Sequence, residues 1–357
     1  MNKVLLVLLL FIFPALSYSL EIGDIKYHEL NSTKDLVGGS GGNNTWDGFG
    51  SLLFNSDGNL VIHDTNKTWL YSITNPTPTT EATRVYEFNL DTETVTGPEV
   101  CKTPDTAINS TYRWANAHLV LEIATDFYLM FYTVDSSSGT WRIIRAAQNS
   151  SANGTFKPID GFEINKTTAW ESNLLEVSAL WDKTFENSTT IIANFGYSSY
   201  NTANSSNCTM GWANITIDKD LKTVTLNSKL SINPLRNLLI SGYSRAYQGG
   251  NIDSNITSND DKLLFYHVYS PYAIAIATSN STLFNTTTSS RKFLDIPASH
   301  ALAEVFNYYY WDGRFHLIYE TEDVDTGWST VLQDFTFNFH PETITVKNVR
   351  FSNITFR

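Results

Sequence analysis

Basic residues are scarce. The chain has 24 Lys and Arg against 36 Asp and Glu, a formal charge of −12, and no cluster of cations along its 357 residues. Nucleic acid and anionic membrane surfaces need clustered Lys and Arg to release counterions, so both are excluded as partners. Cysteine is nearly missing, with Cys101 and Cys208 the only two. Their separation is wrong for a redox or metal-binding pair. The seven His residues lack zinc spacing, no phosphate-cradling glycine loop precedes a helix, and Ser198 and Ser244 lie outside any G-x-S-x-G elbow. No metal or other cofactor is therefore expected, and a serine hydrolase is excluded. Helical periodicity is also lacking after the first nineteen residues, which argues against an α or α/β fold.

The one long apolar run stands at the start. Lys3 precedes Val4 to Leu16, and Ser17-Tyr18-Ser19 supplies small residues at a cleavage position. This predicts a secretory signal over residues 1–19 and a mature chain from Leu20, because the run is too short for a membrane span. Fifteen N-x-S/T sequons follow, at Asn31, Asn43, Asn66, Asn109, Asn149, Asn153, Asn165, Asn187, Asn204, Asn207, Asn214, Asn255, Asn280, Asn285 and Asn353. Behind a signal they predict surface glycosylation. Arg350 to Arg357 carries neither a lipid-anchor tail nor a retrieval tetrapeptide, so the expected product is a soluble extracellular glycoprotein. In that oxidising compartment Cys101 and Cys208 are expected to form a disulfide, and closing so long a loop is worth about 4–5 kcal/mol on chain-entropy grounds.

Aromatic residues make up 13% of the chain and hydrophobic ones 42%, well above a disordered composition. Short apolar runs recur at Leu60–Ile62, Phe127–Tyr132, Thr190–Ala193, Leu263–Tyr266 and Phe315–Tyr319. Each follows an Asp-centred turn signal, at Asp57-Gly58, Asp126, Asp182, Asp260-Asp261 and Asp312-Gly313. A second series repeats a strand, a polar turn and a strand in Val85–Gly97, Trp212–Thr225 and Gln333–Thr345. Both series give a unit of about 62–64 residues, the length of a four-stranded propeller blade.

The expected fold is thus all-β, a five-bladed β-propeller of four-stranded antiparallel blades over 44–100, 112–162, 168–230, 236–297 and 298–352. Residues 20–43 form an N-terminal segment in which Glu21–Leu30 is positioned to add a strand that closes the ring. An irregular pair of sandwiches is the alternative. The Ser/Thr/Asn-rich stretches 148–155, 198–209 and 279–290 are expected to be surface loops.

Trp114-Ala-Asn-Ala-His118, Asp126 to Tyr132, Trp141 to Ala147 and Asn153-Gly-Thr-Phe156 together resemble a blade of the five-bladed glycoside hydrolases of family 43 and their clan relatives. Leu263–Tyr269 and Trp311–Tyr319 are similar to other blades of that family. The resemblance implies a site at the heads of the innermost strands, with two carboxylates as acid and base and a third tuning the acid. It assigns Asp47, beside Trp46, to the base and Glu171, in Trp170-Glu-Ser-Asn-Leu174, to the acid. Elsewhere the pattern departs from the family. Asn116-Ala117 replaces its Pro-Asp, Tyr243-Ser-Arg245 has no carboxylate, and the last unit offers His300 and Glu304.

Trp46, Trp114 and Trp170 open innermost strands, where tryptophan either stacks on sugar rings or wedges between blades. For Asp47 the plainer alternative is a turn residue, and for Glu171 a solvent-facing charge at a strand end. The reading favoured by the incomplete carboxylate set is recognition of carbohydrate, or of a glycosylated cell surface, without the full catalytic machinery. An active glycosidase using Asp47 and Glu171 is the second reading. A secreted signalling or adhesion factor with a protein partner is the third.

Overall fold

The computed structural model describes residues 18–29, 47–74, 82–96, 112–136, 140–168, 171, 173–200, 209–229, 245–249, 262–269, 273–279, 291–294, 300–312, 314–323, 327–341 and 354–355. Every regular element among them is a strand. The chain runs through β1 (Tyr18–Glu29), β2 (Asp47–Asn55), β3 (Lys67–Thr74), β4 (Ala82–Asn89) and β5 (Thr94–Thr96). It continues with β6 (Tyr112–Ala124), β7 (Phe127–Ser136), β8 (Arg142–Asn149) and β9 (Lys157–Ile164). Next come β10 (Leu174–Glu186), β11 (Thr190–Tyr200), β12 (Thr209–Asp218) and β13 (Thr223–Lys229). After these lie β14 (Arg245–Gly249), β15 (Lys262–Tyr269), β16 (Ala273–Ser279) and β17 (Arg291–Leu294). The last are β18 (His300–Trp311), β19 (Arg314–Asp323), β20 (Gly327–Pro341) and β21 (Ile354–Thr355).

Consecutive strands pair antiparallel within β2–β5, β6–β9, β10–β13 and β14–β17. Backbone hydrogen bonding nevertheless collects all the strands into three sheets rather than five. β2 pairs parallel with β6, Leu53 opposite Val120, and β10 meets β8 in parallel at Leu174 and Arg142, which joins the first three groups into one sheet of twelve strands. β14–β17 form a separate sheet. The remaining one orders β1, β20, β19 and β18, with β21 on β20. β1 pairs along β20 from Tyr18 opposite Pro341 to Glu29 opposite Val331, so a chain beginning at Leu20 keeps nearly all of this strand. β2 lies beside β6, β6 beside β10, β10 beside β14, β14 beside β18, and β18 beside β2.

The apolar runs explain where the core lies. Leu52 and Phe54 enter one buried cluster while Leu53 between them enters another, and Leu119 and Leu121 flank Val120 in the same manner. β2 and β6 are therefore buried on both faces, which is why their sequences read as continuous apolar runs and do not alternate. β11 alternates only in its first half, and from Phe195 to Ser199 both of its faces are buried. Ile191, Ala193, Phe195 and Tyr197 are buried, and Asn194 between them is only partly so. Phe131 of β7 meets Phe162 of β9 in its own group, and Trp181 of β10 and Phe195 of β11 in the next, at 5.7, 6.5 and 4.4 Å between ring centroids. The last group reaches the first through Tyr309, edge-on to Phe88, and Trp311 Nε1, which donates to Asp91 Oδ1 at 3.0 Å.

Two of the sequence repeats fold alike. In the β4–β5 turn Asn89 Oδ1 accepts the amides of Asp91 and Thr92, and in the β12–β13 turn Asp218 Oδ1 accepts those of Asp220 and Leu221. Each turn ends on a residue at positive φ, Glu93 at 54° and Lys222 at 53°. Two strand and turn expectations need correction. Leu60–Ile62 forms no strand, only a bridge from Leu60 to Phe54, and β3 starts later at Lys67. Asp182 lies inside β10, and the turn into β11 is instead built on Asn187, whose side-chain oxygen accepts the amides of Thr189 and Thr190. An Asx turn needs only one side-chain acceptor, so Asn serves as well as Asp.

Tight packing makes one position in β11 sensitive. A Cβ on Gly196 would lie 2.3 Å from Leu180 Cβ, with two more atoms of Leu180 within 3 Å. Gly196→Ala is expected to destabilise the chain by about 1–3 kcal/mol through overpacking, read as a lower urea midpoint.

Candidate functional site

Among the residues assigned to the site, those that the structure describes lie at or near the starts of first strands. Asp47 begins β2 and pairs with Thr74, Trp114 lies near the start of β6 opposite Asp135, and His300 begins β18 with Glu304 four residues on. Because β2 and β6 are parallel, Asp47 and Trp114 are at the same end of adjacent strands. Trp46, Trp170, Cys101 and Cys208 lie outside the described residues. So do the sequons at Asn31, Asn43, Asn109, Asn204, Asn207, Asn255, Asn280, Asn285 and Asn353.

Glu171 precedes β10 and is not a solvent-facing charge, for the residue is 3% exposed and its side chain fully enclosed. Both carboxylate oxygens are occupied. Oε2 accepts the amides of Thr167 and Thr168 at 2.7 and 2.8 Å, so the segment leading into β10 wraps around its own carboxylate. Oε1 accepts the Tyr197 hydroxyl at 2.7 Å and Lys229 Nζ at 2.6 Å. Lys229, at the end of β13, also donates to the Asn165 carbonyl at 2.5 Å and lies over the Tyr197 ring.

Burial pushes the Glu171 carboxyl up, but Lys229, Tyr197 and the two amides together outweigh it and hold the group below its usual range. Burial pushes the Tyr197 hydroxyl well up, and the carboxylate beside it adds to the effect. Burial also lowers Lys229, against the pull of Glu171. The two partners move in the same direction because the carboxylate meets four donors while the ammonium meets one carboxylate and one carbonyl. The ionised carboxylate is thus the better supported half of the pair. A depressed carboxyl stabilises the fold above its unfolded value, near 4.5, and the contribution disappears as pH falls through the folded value. Urea midpoints of the wild type are expected to drop below about pH 4.5 by more than those of Glu171→Gln, which lacks this proton equilibrium.

A second carboxylate near the same strand end is also paired. Glu176 of β10 forms an ion pair with Arg142 of β8, whose backbone amide donates to the Asn173 carbonyl at 2.8 Å. Tyr197, Lys229 and Arg142 escaped the sequence reading because lone residues 26, 58 and 34 positions from their carboxylate partners carry no local signal. Among the described residues, no group of three or more His, Cys, Asp and Glu is placed to hold a metal ion.

No protein-family model matches the sequence, and no curated protein matches it. Solved structures do. The chain is similar to one described as a glycoside hydrolase, at 12% identity over 93% of this chain and 95% of that one, with a TM-score of 0.58. It is similar to one described as an RGII complex of BT0996, at 11% identity over 85% and 93%, with a TM-score of 0.52. A crystal structure of a thermostable family-43 glycoside hydrolase matches at 11% identity over 87% and 97%, with a TM-score of 0.47. At such identities the likeness concerns the fold and not the chemistry. In architecture, over most of its length, the chain resembles the glycoside hydrolases.

Proposed function

We propose that this chain is a secreted glycoprotein, a five-bladed β-propeller of glycosidase type that recognises carbohydrate or a glycosylated surface without hydrolysing it. Each antiparallel group of four strands is one blade, and β1 supplies the outer strand of the last. The cyclic adjacency of β2, β6, β10, β14 and β18 supports the ring, and their N-terminal ends frame the binding end.

The observation that carries the non-catalytic reading is the enclosure of Glu171. A general acid must carry a proton near neutral pH and reach the glycosidic oxygen, which requires a raised pKa and an open face. Glu171 has a lowered pKa and four internal donors. Screening the secreted protein against an oligosaccharide panel, alongside aryl-glycoside turnover, tests the reading. Binding weakened by Trp114→Ala with no turnover is expected. Turnover abolished by Asp47→Ala or Glu171→Gln would establish a glycosidase instead.

A further inference from the structure

On the secretory reading just proposed, we infer that the folded protein carries glycan at Asn187 and none at Asn149 or Asn214. Transfer joins the Asn Nδ2 to the anomeric carbon of an oligosaccharide held on a lipid diphosphate. The anomeric C–O bond breaks, the diphosphate leaves with its electron pair, and Nδ2 gives up one of its two protons. A site is compatible with the finished fold only if that nitrogen has a proton and a direction to spare.

Asn187 has both. Its Oδ1 accepts the amides of Thr189 and Thr190 at 2.9 and 2.7 Å and the Thr189 hydroxyl at 3.3 Å. Backbone N–H groups can meet only the oxygen of a carboxamide, so the nitrogen is the atom left over. The residue is exposed in the tight turn between β10 and β11, and no acceptor among the described residues meets Nδ2.

Asn214 has neither. It lies in mid-strand in a polar row that crosses four strands. Asn194 Nδ2 donates to Asp182 Oδ2 at 3.2 Å, Asn214 Nδ2 donates to Asn194 Oδ1 at 3.1 Å and to the Ala193 carbonyl at 3.5 Å, and Asn227 Nδ2 donates to Asn214 Oδ1 at 2.9 Å. Asp182 accepts at the head of the row and so sets its orientation, and both protons of Asn214 Nδ2 are directed at acceptors on β11. A sugar there would break the hydrogen bonds that this side chain makes to Asn194 and to the Ala193 carbonyl. Asn149 is blocked differently. Its Nδ2 donates to the Ser151 carbonyl at 2.7 Å and lies 1.8 Å from where a Cβ on Gly154 would be, so the nitrogen is packed against that glycine's backbone. The Ser151 hydroxyl, which completes this sequon, is turned to Asn153 Oδ1 at 2.7 Å.

Occupancy is read by glycopeptide mapping of the full chain secreted from a eukaryotic host, taking the monomeric fraction. Amidase release in heavy-oxygen water leaves each occupied Asn as a labelled Asp. Label in nearly all Asn187 and in almost no Asn149 or Asn214 is expected. Thr189→Ala should lower the intact mass by one glycan, and Thr216→Ala should leave it unchanged apart from the substitution. Label in most of Asn214 or Asn149, or its lack at Asn187 while other sequons carry it, overturns the inference and leaves the secretory reading standing. A chain from such a host with no label at any sequon removes that reading and the inference with it.

Discussion

Glu171→Gln is expected to lower the unfolding free energy by about 3–5 kcal/mol, the range for breaking one side of a buried ion pair. The substitution leaves the Lys229 ammonium, whose side chain is 5% exposed, without its counter-charge, with the Asn165 carbonyl and the Tyr197 ring still beside it. It also turns an NH2 group toward a site lined by four donors, two on each oxygen, so two of them lose their acceptor. Lys229→Met should cost less, because the carboxylate keeps Tyr197 and the amides of Thr167 and Thr168. Combining the two should be milder than the sum of the single effects, since no unpaired ammonium remains. Urea unfolding of the four proteins reads the coupling directly. A loss below about 1 kcal/mol for Glu171→Gln would mean that water reaches the carboxylate, and the argument against a general acid would go with it. The two roles therefore give opposite signatures: an exposed acid costs turnover and little stability, an enclosed anchor costs stability.

The strands were legible wherever side-chain periodicity alone decided them. Phe127–Tyr132, Thr190–Ala193, Leu263–Tyr266 and Phe315–Tyr319 all fall within strands, because a short apolar run between turn residues has few other folded states. The repeat of Val85–Gly97 in Trp212–Thr225 was legible for a stronger reason. Both encode an Asx-capped turn closed by a residue at positive φ, so the same local chemistry yields the same hairpin. Leu60–Ile62 misled because hydrophobicity marks burial, not hydrogen bonding, and the loop there returns to β2 through one bridge. The site was legible only as far as strand order places it. Glu171 was found from its flanking residues, but its environment depends on Tyr197 and Lys229, which come from the ends of two later strands. Such long-range pairing leaves no trace in spacing.

Phe131→Ala is expected to cost about 3–5 kcal/mol, a large share of the roughly 5–15 kcal/mol that holds a domain folded. Phe131 is fully buried, and its ring meets aromatic partners on three strands, two of which belong to the next antiparallel group. Removing it takes away the transfer free energy of the ring and leaves a cavity that the rigid strand groups on either side cannot collapse to fill. Leu221 gives the comparison. It is 72% exposed in the β12–β13 turn, and Leu221→Ala should change stability by no more than about 0.5 kcal/mol. The site of the damage is also predictable. Trp181 packs on Phe131 and donates from Nε1 to the Ser56 carbonyl at 2.8 Å, so it ties β10 to the turn after β2. Loosening the aromatic wedge should release this tie before the groups themselves unfold. Indole fluorescence should then change at lower urea than the loss of strand signal in far-UV circular dichroism. Coincident transitions shifted together by the full amount would instead mean that the groups unfold as one cooperative unit, and that the wedge is only part of a common core.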